Sequence, residues 1–297
     1  MSLVATLICN PIAPALDSTI LEGVAAVLPA AGPARWLDPE IAADFLFTSQ
    51  EPAAAIAARL REAVGDLAID VVVQPQATRR KRLLLADMDS TIIGQECIDE
   101  LADFAGLKAH VATITERAMR GEVAFEPALR ERVALLKDLP LSVIDEVLAE
   151  RIRLTPGAVE LVRTMRAHGA YTCLVSGGFT LFTARVAEQV GFQENRANTL
   201  LSENGKLTGR VAEPILGRDA KLAALTDLRE GFDLDAIDTL AVGDGANDLA
   251  MIGAAGLGVA YHAKPKVAAA AAARIDHGDL TALLYLQGYS RSDFVTA

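Results

Sequence analysis

The sequence has little of what marks secreted or membrane-spanning proteins. It holds three cysteines, Cys9, Cys97 and Cys173, with no CxxC or Cys/His spacing, which argues for a reducing compartment rather than a disulfide framework. No Lys or Arg precedes the apolar run at the amino terminus, and the apolar stretch at residues 267–273 is too short to span a bilayer. We therefore expect a cytoplasmic protein with no membrane partner.

The chain also lacks an excess of positive charge. Its 28 Lys and Arg residues face 39 Asp and Glu residues, and the formal net charge is −11. A surface of this sign repels the phosphate backbone of DNA and RNA. We therefore expect no nucleic-acid partner.

What is present is the composition of a folded protein with a sizeable core. Apolar residues make up 52% of the 297 residues and charged residues 23%, and no long polar tract occurs. At roughly 150 residues per domain, this length predicts about two domains.

The first 76 residues alternate between strand-like and helix-like patterns. Strand-like runs occur at residues 3–9, 45–48 and 69–73, with a weaker one at 34–37, and helical patterns cover residues 19–27 and 53–64. This βαββαβ order is that of a ferredoxin-like domain, in which two helices cover one face of an antiparallel sheet. The charge run Arg79, Arg80, Lys81 and Arg82 then predicts a basic linker at residues 77–82, in the form of a solvated hinge.

From residue 83 to residue 297 the pattern changes to that of an α/β domain. Continuous apolar runs at residues 83–88, 171–175 and 239–242 are typical of parallel strands covered on both faces, as in a doubly wound sheet. Between residues 91 and 154 the apolar positions follow helical spacing instead. We therefore expect a small helical cap, inserted at about residues 93–155, over one edge of the sheet.

Polar residues follow the predicted strands where those strands end. Because ligands of open parallel sheets bind at the carboxyl ends of the strands, we expect these side chains to meet in one crevice. They are Asp87, Asp89, Ser176, Gly177, Asp244, Asn247 and Asp248, joined by Lys221 at the start of a helix.

These groups suit phosphoryl transfer. Carboxylate oxygens are the ligands that Mg²⁺ prefers, and a site with few protein carboxylates leaves room for a phosphate oxygen. Hydroxyl, backbone N–H and ammonium groups bind phosphate. An aspartate can attack phosphorus to give an aspartyl-phosphate, and a second aspartate can then act as general acid and base.

The motifs resemble those of the haloacid dehalogenase (HAD) superfamily of phosphatases. The resemblance is carried by DMDST from Asp87, SGG from Ser176, Lys221 and GDGAND from Gly243, in that order. Within the superfamily, IIGQECIDEL at residues 92–101 and FEPALRERVALLKDLP at residues 125–140 are similar to the cap stretches of the phosphoserine phosphatase family. The resemblance thus implies a HAD-like core with a helical cap.

The resemblance also implies a role for each motif residue in the core. Asp87 is then the nucleophile and a metal ligand, and Asp89 is the general acid and base, whose backbone carbonyl also binds Mg²⁺. Asp244 is the remaining carboxylate ligand. The phosphoryl group is held by Ser176, Gly177 and Lys221, with Asn247 beside it. Asp248 either holds Lys221 or a metal-bound water, or simply caps the next helix.

In the cap, the resemblance assigns residues to the rest of an amino-acid substrate. Glu96 binds an α-ammonium group and Arg132 an α-carboxylate, because a fixed carboxylate suits an ammonium and a guanidinium fork suits a carboxylate. Met119 and Phe125 form walls of the pocket. The implied reaction is Mg²⁺-dependent hydrolysis of O-phosphoserine to serine and phosphate, the last step of serine biosynthesis.

Other functions stay open at this point. A phosphotransferase that uses an alcohol as acceptor, or a HAD phosphatase for another small metabolite, fits the same core motifs. A signalling or amino-acid-sensing protein with a persistent phospho-aspartate has little use for Asp89, so that residue favours the enzyme. The N-terminal domain resembles ACT-like regulatory modules but has no glycine between residues 9 and 23. We predict that it forms a homodimer interface.

Overall fold

The computed structural model describes residues 1–119 and 122–296, with only the backbone for residues 118 and 119. The strands are β1 Ser2–Cys9, β2 Arg35–Asp38, β3 Ala42–Thr48, β4 Ile69–Pro75, β5 Leu83–Ala86, β6 Tyr171–Phe179, β7 Glu194–Asn198, β8 Leu200–Glu203, β9 Lys206–Val211, β10 Thr239–Gly243, β11 Leu257–Tyr261 and β12 Ala273–Ile275. The α-helices are α1 Ser18–Val27, α2 Ala53–Val64, α3 Cys97–Phe104, α4 Lys108–Met119, α5 Phe125–Ala134, α6 Ser142–Glu150, α7 Ala158–Ala167, α8 Thr180–Val190, α9 Arg218–Gly231, α10 Leu249–Ala254, α11 Pro265–Ala270 and α12 Ala282–Leu286. In this described part of the chain, no helix is long and apolar enough to cross a lipid bilayer.

The first sheet has the predicted ferredoxin-like arrangement. Its four strands lie in the order β2-β3-β1-β4, and every neighbouring pair is antiparallel. Helix α2 packs on β4 and on α1, while α12 from the end of the chain packs on β1. All residues of β1 after Ser2 are buried, so the centre of this sheet is closed to solvent on both faces.

The second sheet is the predicted doubly wound parallel sheet. Its six strands lie in the order β12-β11-β10-β5-β6-β7, with all pairs parallel. Alternate side chains of β5 enter different cores: Leu84 packs in the cluster that includes Leu161 of α7, and Leu85 in the cluster that includes Leu225 of α9. The two faces are therefore covered by separate layers of helices, as the continuous apolar strands predict.

A helical cap interrupts the first crossover of this sheet, also as predicted. Helices α3 to α6 form it, and the two segments that join it to the sheet lie side by side. The Gly94 N–H donates to the Arg153 carbonyl at 3.1 Å, and the Thr155 N–H to the Ile92 carbonyl at 2.9 Å. The β8–β9 hairpin packs on the cap, where the Asp138 N–H donates to the carbonyl of Leu207 at 2.9 Å.

The basic linker is not the solvated hinge that its charges predict. Lys81 is only 4% exposed. Its ammonium donates to the Ile237 carbonyl at 2.7 Å, and burial lowers the pKa of Lys81 to about 8. Arg79 pairs with the buried carboxylate of Asp44 at 2.7 Å, and the Arg80 guanidinium lies over the Tyr289 ring. The prediction is wrong because the two parts of the chain pack closely enough to supply partners for these cations.

Asp70 provides a second fixed contact between the domains of the two sheets. Its side chain, at the start of β4, accepts backbone N–H groups of Asp276 at 2.7 Å, His277 at 3.2 Å and Gly278 at 2.7 Å. These donors lie in the loop after β12. A buried carboxylate with several backbone donors fixes that loop against the N-terminal domain.

Asp70→Asn is expected to lower the free energy of unfolding by about 2 kcal/mol, because an amide NH₂ would face backbone donors that the carboxylate now satisfies. Chemical denaturation followed by fluorescence measures this, since Trp36 in β2 is the single tryptophan of the chain. Asp66→Asn, at an exposed neighbouring position, is the control and should leave stability unchanged. Equal stability of the two variants would show that the Asp70 contacts are not stabilising.

Candidate active site

The site lies where the order of the parallel strands reverses. Strand β5 is central, β6 follows it on one side and β10 pairs with it on the other. Asp87 comes directly after β5, Ser176 lies near the carboxyl end of β6, and Asp244 comes directly after β10. Connections that leave in opposite directions open a crevice at such a point. Here the cap covers the crevice and encloses a cavity of about 270 Å³.

The structure places most of the predicted residues at this cavity. Those that line it are Asp87, Asp89, Glu96, Phe125, Arg132, Ser176, Gly177, Asp244 and Asn247. Lys221 and Asp248 are almost fully buried, and Lys221 contacts both Asp87 and Asp248. The side chain of Met119 lies outside the described part of the chain. Six lining residues are absent from the sequence-based set: Ile98, Leu129, Gly178, Phe179, Gly245 and Lys264.

Lys221 links the two carboxylates at the base of the cavity. Its Nζ lies 2.6 Å from Asp87 Oδ1 and 2.6 Å from Asp248 Oδ1. Burial by itself lowers the pKa of Lys221, but the charges of Asp87 and Asp248 outweigh burial and the net shift is upward. Lys221 therefore stays charged. Burial raises the pKa of Asp87, and the charge of Lys221 opposes that shift.

Asp248 is held by core contacts rather than acting as a side-chain cap. It precedes α10 in the N-cap position, yet its side chain makes no capping hydrogen bond. Its second oxygen, Oδ2, instead accepts the Gly245 N–H at 3.0 Å. Both oxygens of Asp248 are thus engaged by Lys221 and Gly245, an arrangement that fixes Lys221 under Asp87.

Asp89 is held in a different environment two residues further on. Its Oδ1 accepts the Cys97 N–H at 2.8 Å, and its Oδ2 accepts the Ser176 hydroxyl at 3.1 Å. Burial, followed by the negative charge of Glu96, raises the pKa of Asp89. A carboxyl group with a raised pKa can hold a proton for transfer, which is the property a general acid needs.

The turn that carries Asp89 is unusual. The Ile93 N–H donates to the Met88 carbonyl at 3.0 Å, and this bond closes a wide turn in which Ser90 has φ +55°. The Ser90 hydroxyl donates to Glu96 Oε1 at 2.8 Å. This conformation turns the chain sharply after β5, which is why the strand ends at Ala86 rather than at residue 88.

The acidic groups at the base suit a hard divalent cation. Oxygens of Asp87, Asp244 and Asp248 all lie within 4.8 Å of one another. Among the described residues, the carboxylate of Asp244 has no hydrogen-bond or ion-pair partner, so its oxygens are available to a ligand. Burial, with the charges of Asp248 and Glu96, raises the pKa of Asp244 to about 6, because neighbouring negative charges disfavour its ionised form. An all-oxygen donor set of this kind fits Mg²⁺.

The segment Ser176–Gly178 forms the opposite wall. The Ser176 hydroxyl accepts the Gly178 N–H at 2.8 Å, and a side chain at Gly178 would come within 3.0 Å of Asp89 Oδ2. The absence of a side chain at Gly178 leaves room for the close approach of Asp89 and Ser176, and Ser176 and Gly177 both line the cavity. Hydroxyl and backbone N–H groups of such a segment can bind phosphate oxygens once a ligand replaces their present partners.

Asn198 holds two parts of this wall together, and sequence reasoning missed it. From the end of β7, its amide donates to the carbonyls of Gly177 at 2.8 Å and Leu216 at 3.2 Å, while its carbonyl accepts the Leu216 N–H at 2.7 Å. The chain after Leu216 leads directly into α9, which carries Lys221. One buried amide thus ties the Ser176 segment to the Lys221 segment.

Asn198→Ala is expected to lower kcat/KM by about 10²-fold, because both segments lose a fixed position relative to Asp87. Steady-state kinetics combined with thermal unfolding measure the effect and separate it from a loss of folded protein. Asn195→Ala is the matched control, since Asn195 lies on the same strand and bonds to Thr183 instead. If both variants lose activity only in proportion to their stability, Asn198 has no positioning role.

The cap contributes opposite charges to the same cavity. Glu96 lies at the start of α3 and is held by Ser90, while Arg132 lies in the last turn of α5. Arg132 has no ion pair within the described residues and donates only to the Ala128 carbonyl at 3.3 Å. Burial lowers the pKa of Arg132, and the charges of Asp99 and Glu96 oppose that shift. A half-buried guanidinium without a paired carboxylate is suited to bind an anionic ligand group.

Comparison with known proteins agrees with this geometry. Residues 84–253 match the family model of the haloacid dehalogenase-like hydrolases. A phosphoserine phosphatase of Archaeoglobus fulgidus is 46% identical over 217 residues, which cover 72% of this chain and 63% of that protein. A phosphoserine phosphatase of a Polaromonas species is 46% identical over 210 residues, which cover 69% of this chain and 89% of that protein.

A solved structure resembles nearly the whole chain. The probable phosphoserine phosphatase of Vibrio cholerae, in unliganded form, superposes with a TM-score of 0.79 and 33% identity, covering 98% of this chain and 88% of that one. The similarity therefore includes the N-terminal domain as well as the sheet that carries the motifs. This chain belongs to the haloacid dehalogenase-like hydrolase family, among relatives that are phosphoserine phosphatases.

Proposed function

We propose that this chain hydrolyses O-phospho-L-serine to L-serine and inorganic phosphate, the last step of serine biosynthesis. One observation carries the proposal: a single cavity joins the Asp87–Lys221 centre of the core to Glu96 and Arg132 of the cap. Asp87 and Lys221 would bind and transfer a phosphoryl group. Glu96 and Arg132 would bind the α-ammonium and α-carboxylate groups of an amino acid. The names of the relatives support the same substrate.

In the proposed mechanism, a carboxylate oxygen of Asp87 attacks phosphorus and the bond from phosphorus to the serine oxygen breaks. Asp89 donates its proton to that oxygen, so that serine leaves as the neutral alcohol. Asp89, now ionised, takes a proton from water, and the water oxygen attacks phosphorus of the aspartyl-phosphate. Phosphate leaves and Asp87 is regenerated. The raised pKa of Asp89, caused by burial and Glu96, suits its first role.

Mg²⁺ is the proposed cofactor. Asp87 and Asp244 would hold it with side-chain oxygens and Asp89 with its backbone carbonyl, while Asp248 fixes Lys221 beside them. The bound cation would neutralise negative charge on the phosphoryl oxygens. Ser176, Gly177 and Lys221 would hold the remaining phosphoryl oxygens, with Asn247 beside them and Phe125 at the wall of the pocket.

Phosphate release from O-phosphoserine tests the proposal. Steady-state release that requires Mg²⁺, stops with EDTA and returns with added Mg²⁺ is expected. A phosphorylated Asp87 that accumulates stoichiometrically and persists for minutes would instead support a sensor. Transfer of the phosphoryl group to an added alcohol in preference to water would identify a phosphotransferase.

We further propose that the chain divides into a ferredoxin-like, ACT-like domain at residues 1–76, a linker at 77–82 and a phosphatase domain at 83–297, with the cap at about 93–155.

We also propose that the chain forms a homodimer through the first domain. Its outer strand β2 pairs on one side only, and Trp36 on β2 and Leu46 on the adjacent strand β3 are 40% and 37% exposed. Light scattering on Trp36→Glu should give a monomer; an unchanged assembly would exclude this edge.

A further inference from the structure

We propose that Lys264 is a further substrate-binding residue, whose ammonium binds the phosphoryl group of the substrate at the mouth of the cavity. The proposal deepens the phosphatase function proposed above and rests on it. Lys264 belongs to none of the motif segments, and as an exposed lysine before a short helix it has the sequence context of an ordinary surface charge.

The backbone fixes Lys264 beside the acidic end of β10. Its N–H donates to the Asp244 carbonyl at 3.2 Å. Lys264 has an extended conformation, which Pro265 at the first position of α11 favours in the residue before it. Lys264 lines the same cavity as Asp244 and Asn247, and its positive charge acts to lower the pKa of Asp244. The ammonium therefore lies within electrostatic range of Asp244, one of the proposed metal ligands.

Lys264 is also free to bind a ligand. Within the described chain it forms no ion pair, whereas Lys221 is occupied by Asp87 and Asp248. Arg132 is the other cation of the cavity wall, but it comes from the cap and lies among Asp99 and Glu96. Among the cationic residues that line the cavity, Lys264 is thus the one that belongs to the core domain rather than to the cap.

The charge balance of the cavity shows why such a cation matters. The lining residues carry the carboxylates Asp87, Asp89, Glu96 and Asp244 against the cations Arg132 and Lys264. Lys221 offsets the charge of Asp87, but Lys221 is already paired there and with Asp248. A phosphate monoester is largely a dianion near pH 7, so a further unpaired cation at the lining favours its binding. An unpaired ammonium at the mouth raises the local concentration of such a substrate and contributes to its binding.

The experiment compares Lys264→Gln with Lys266→Gln. Lys266 lies two residues further along the chain, is exposed and does not line the cavity. In Lys264→Gln we expect KM for O-phosphoserine and the inhibition constant of inorganic phosphate to rise about 10-fold, with kcat changed less than about 3-fold. The decrease of kcat/KM with added salt should also become shallower. Lys264→Arg should restore most of the affinity, and Lys266→Gln should behave as wild type.

Equal inhibition constants for phosphate and equal salt dependence in the two glutamine variants would overturn the proposal. So would a loss confined to kcat, because that places Lys264 in the chemical step rather than in binding. If O-phosphoserine proves not to be a substrate, the same comparison with an aryl phosphate and inorganic phosphate still tests Lys264. Failure of the proposed substrate and failure of the proposed residue are therefore separate results.

Discussion

Asp87→Asn is expected to lower steady-state phosphate release by on the order of 10⁴-fold or more, because an amide is a poor nucleophile and a neutral metal ligand. Asp89→Asn is expected to slow both chemical steps by on the order of 10²- to 10⁴-fold while it keeps its backbone carbonyl. With an aryl phosphate, whose leaving group needs little protonation, Asp89→Asn should accumulate phosphorylated protein, since hydrolysis of the aspartyl-phosphate lacks its base. Rapid acid quench and mass spectrometry measure that species.

The two variants serve as controls for each other. Asp87 contacts Lys221, whereas Asp89 is held by Cys97 and Ser176, so the substitutions disturb different parts of the site. Phosphorylated protein in Asp87→Asn, or equal and small losses in both variants, would contradict the assigned roles.

Arg132→Ala is expected to collapse the preference for O-phosphoserine over phosphoethanolamine, which lacks the carboxylate. Loss of a buried charged partner costs about 2 to 5 kcal/mol, or roughly 30- to several-thousand-fold in kcat/KM. Hydrolysis of a generic aryl phosphate should stay nearly unchanged, because that substrate has no carboxylate for Arg132 to bind. Competition kinetics with the two esters measure the ratio directly.

Arg130→Ala is the matched control for this prediction. Arg130 lies on the same helix but pairs with Glu126 at 3.4 Å and Glu213 at 2.6 Å, outside the cavity lining. It should leave the preference intact. A similar change of the ratio in both variants would mean that α5 acts through its overall charge or its position, and Arg132 would then have no specific role.

The fold was predictable from sequence where apolar periodicity is strong. Strands β1, β3 and β4 of the first domain, the buried strands β5, β6 and β10 and the cap helices all follow such patterns, whereas β2 follows a weaker one. Strand β7, ENRAN, has no apolar alternation, and it forms because its backbone pairs with the edge of β6. The β8–β9 hairpin is short and mostly exposed, so its pattern is equally weak. Tertiary pairing decides such segments, and local sequence does not record it.

The site was predictable only as far as motifs extend. Residues near the strand ends, such as Asp87, Ser176 and Asp244, are marked by their position in the pattern. Asn198 and Lys264 carry no such mark, because their importance arises from distant partners: Gly177 and Leu216 for the first, the acidic cavity for the second. The charge run around Lys81 predicted a solvated hinge, and this prediction was wrong for a similar reason. The carbonyl that binds the Lys81 ammonium belongs to Ile237, which lies far along the chain.

The most direct test is the ratio of kcat/KM values of the unmodified protein, with Mg²⁺, for O-phosphoserine, phosphoethanolamine and phosphoglycolate. The three esters share a phosphate and differ in the carboxylate and ammonium groups that Arg132 and Glu96 are proposed to bind. O-phosphoserine is expected to be preferred over each of the others by at least about 30-fold. Similar values for all three esters would contradict both the proposed substrate and the role of the cap.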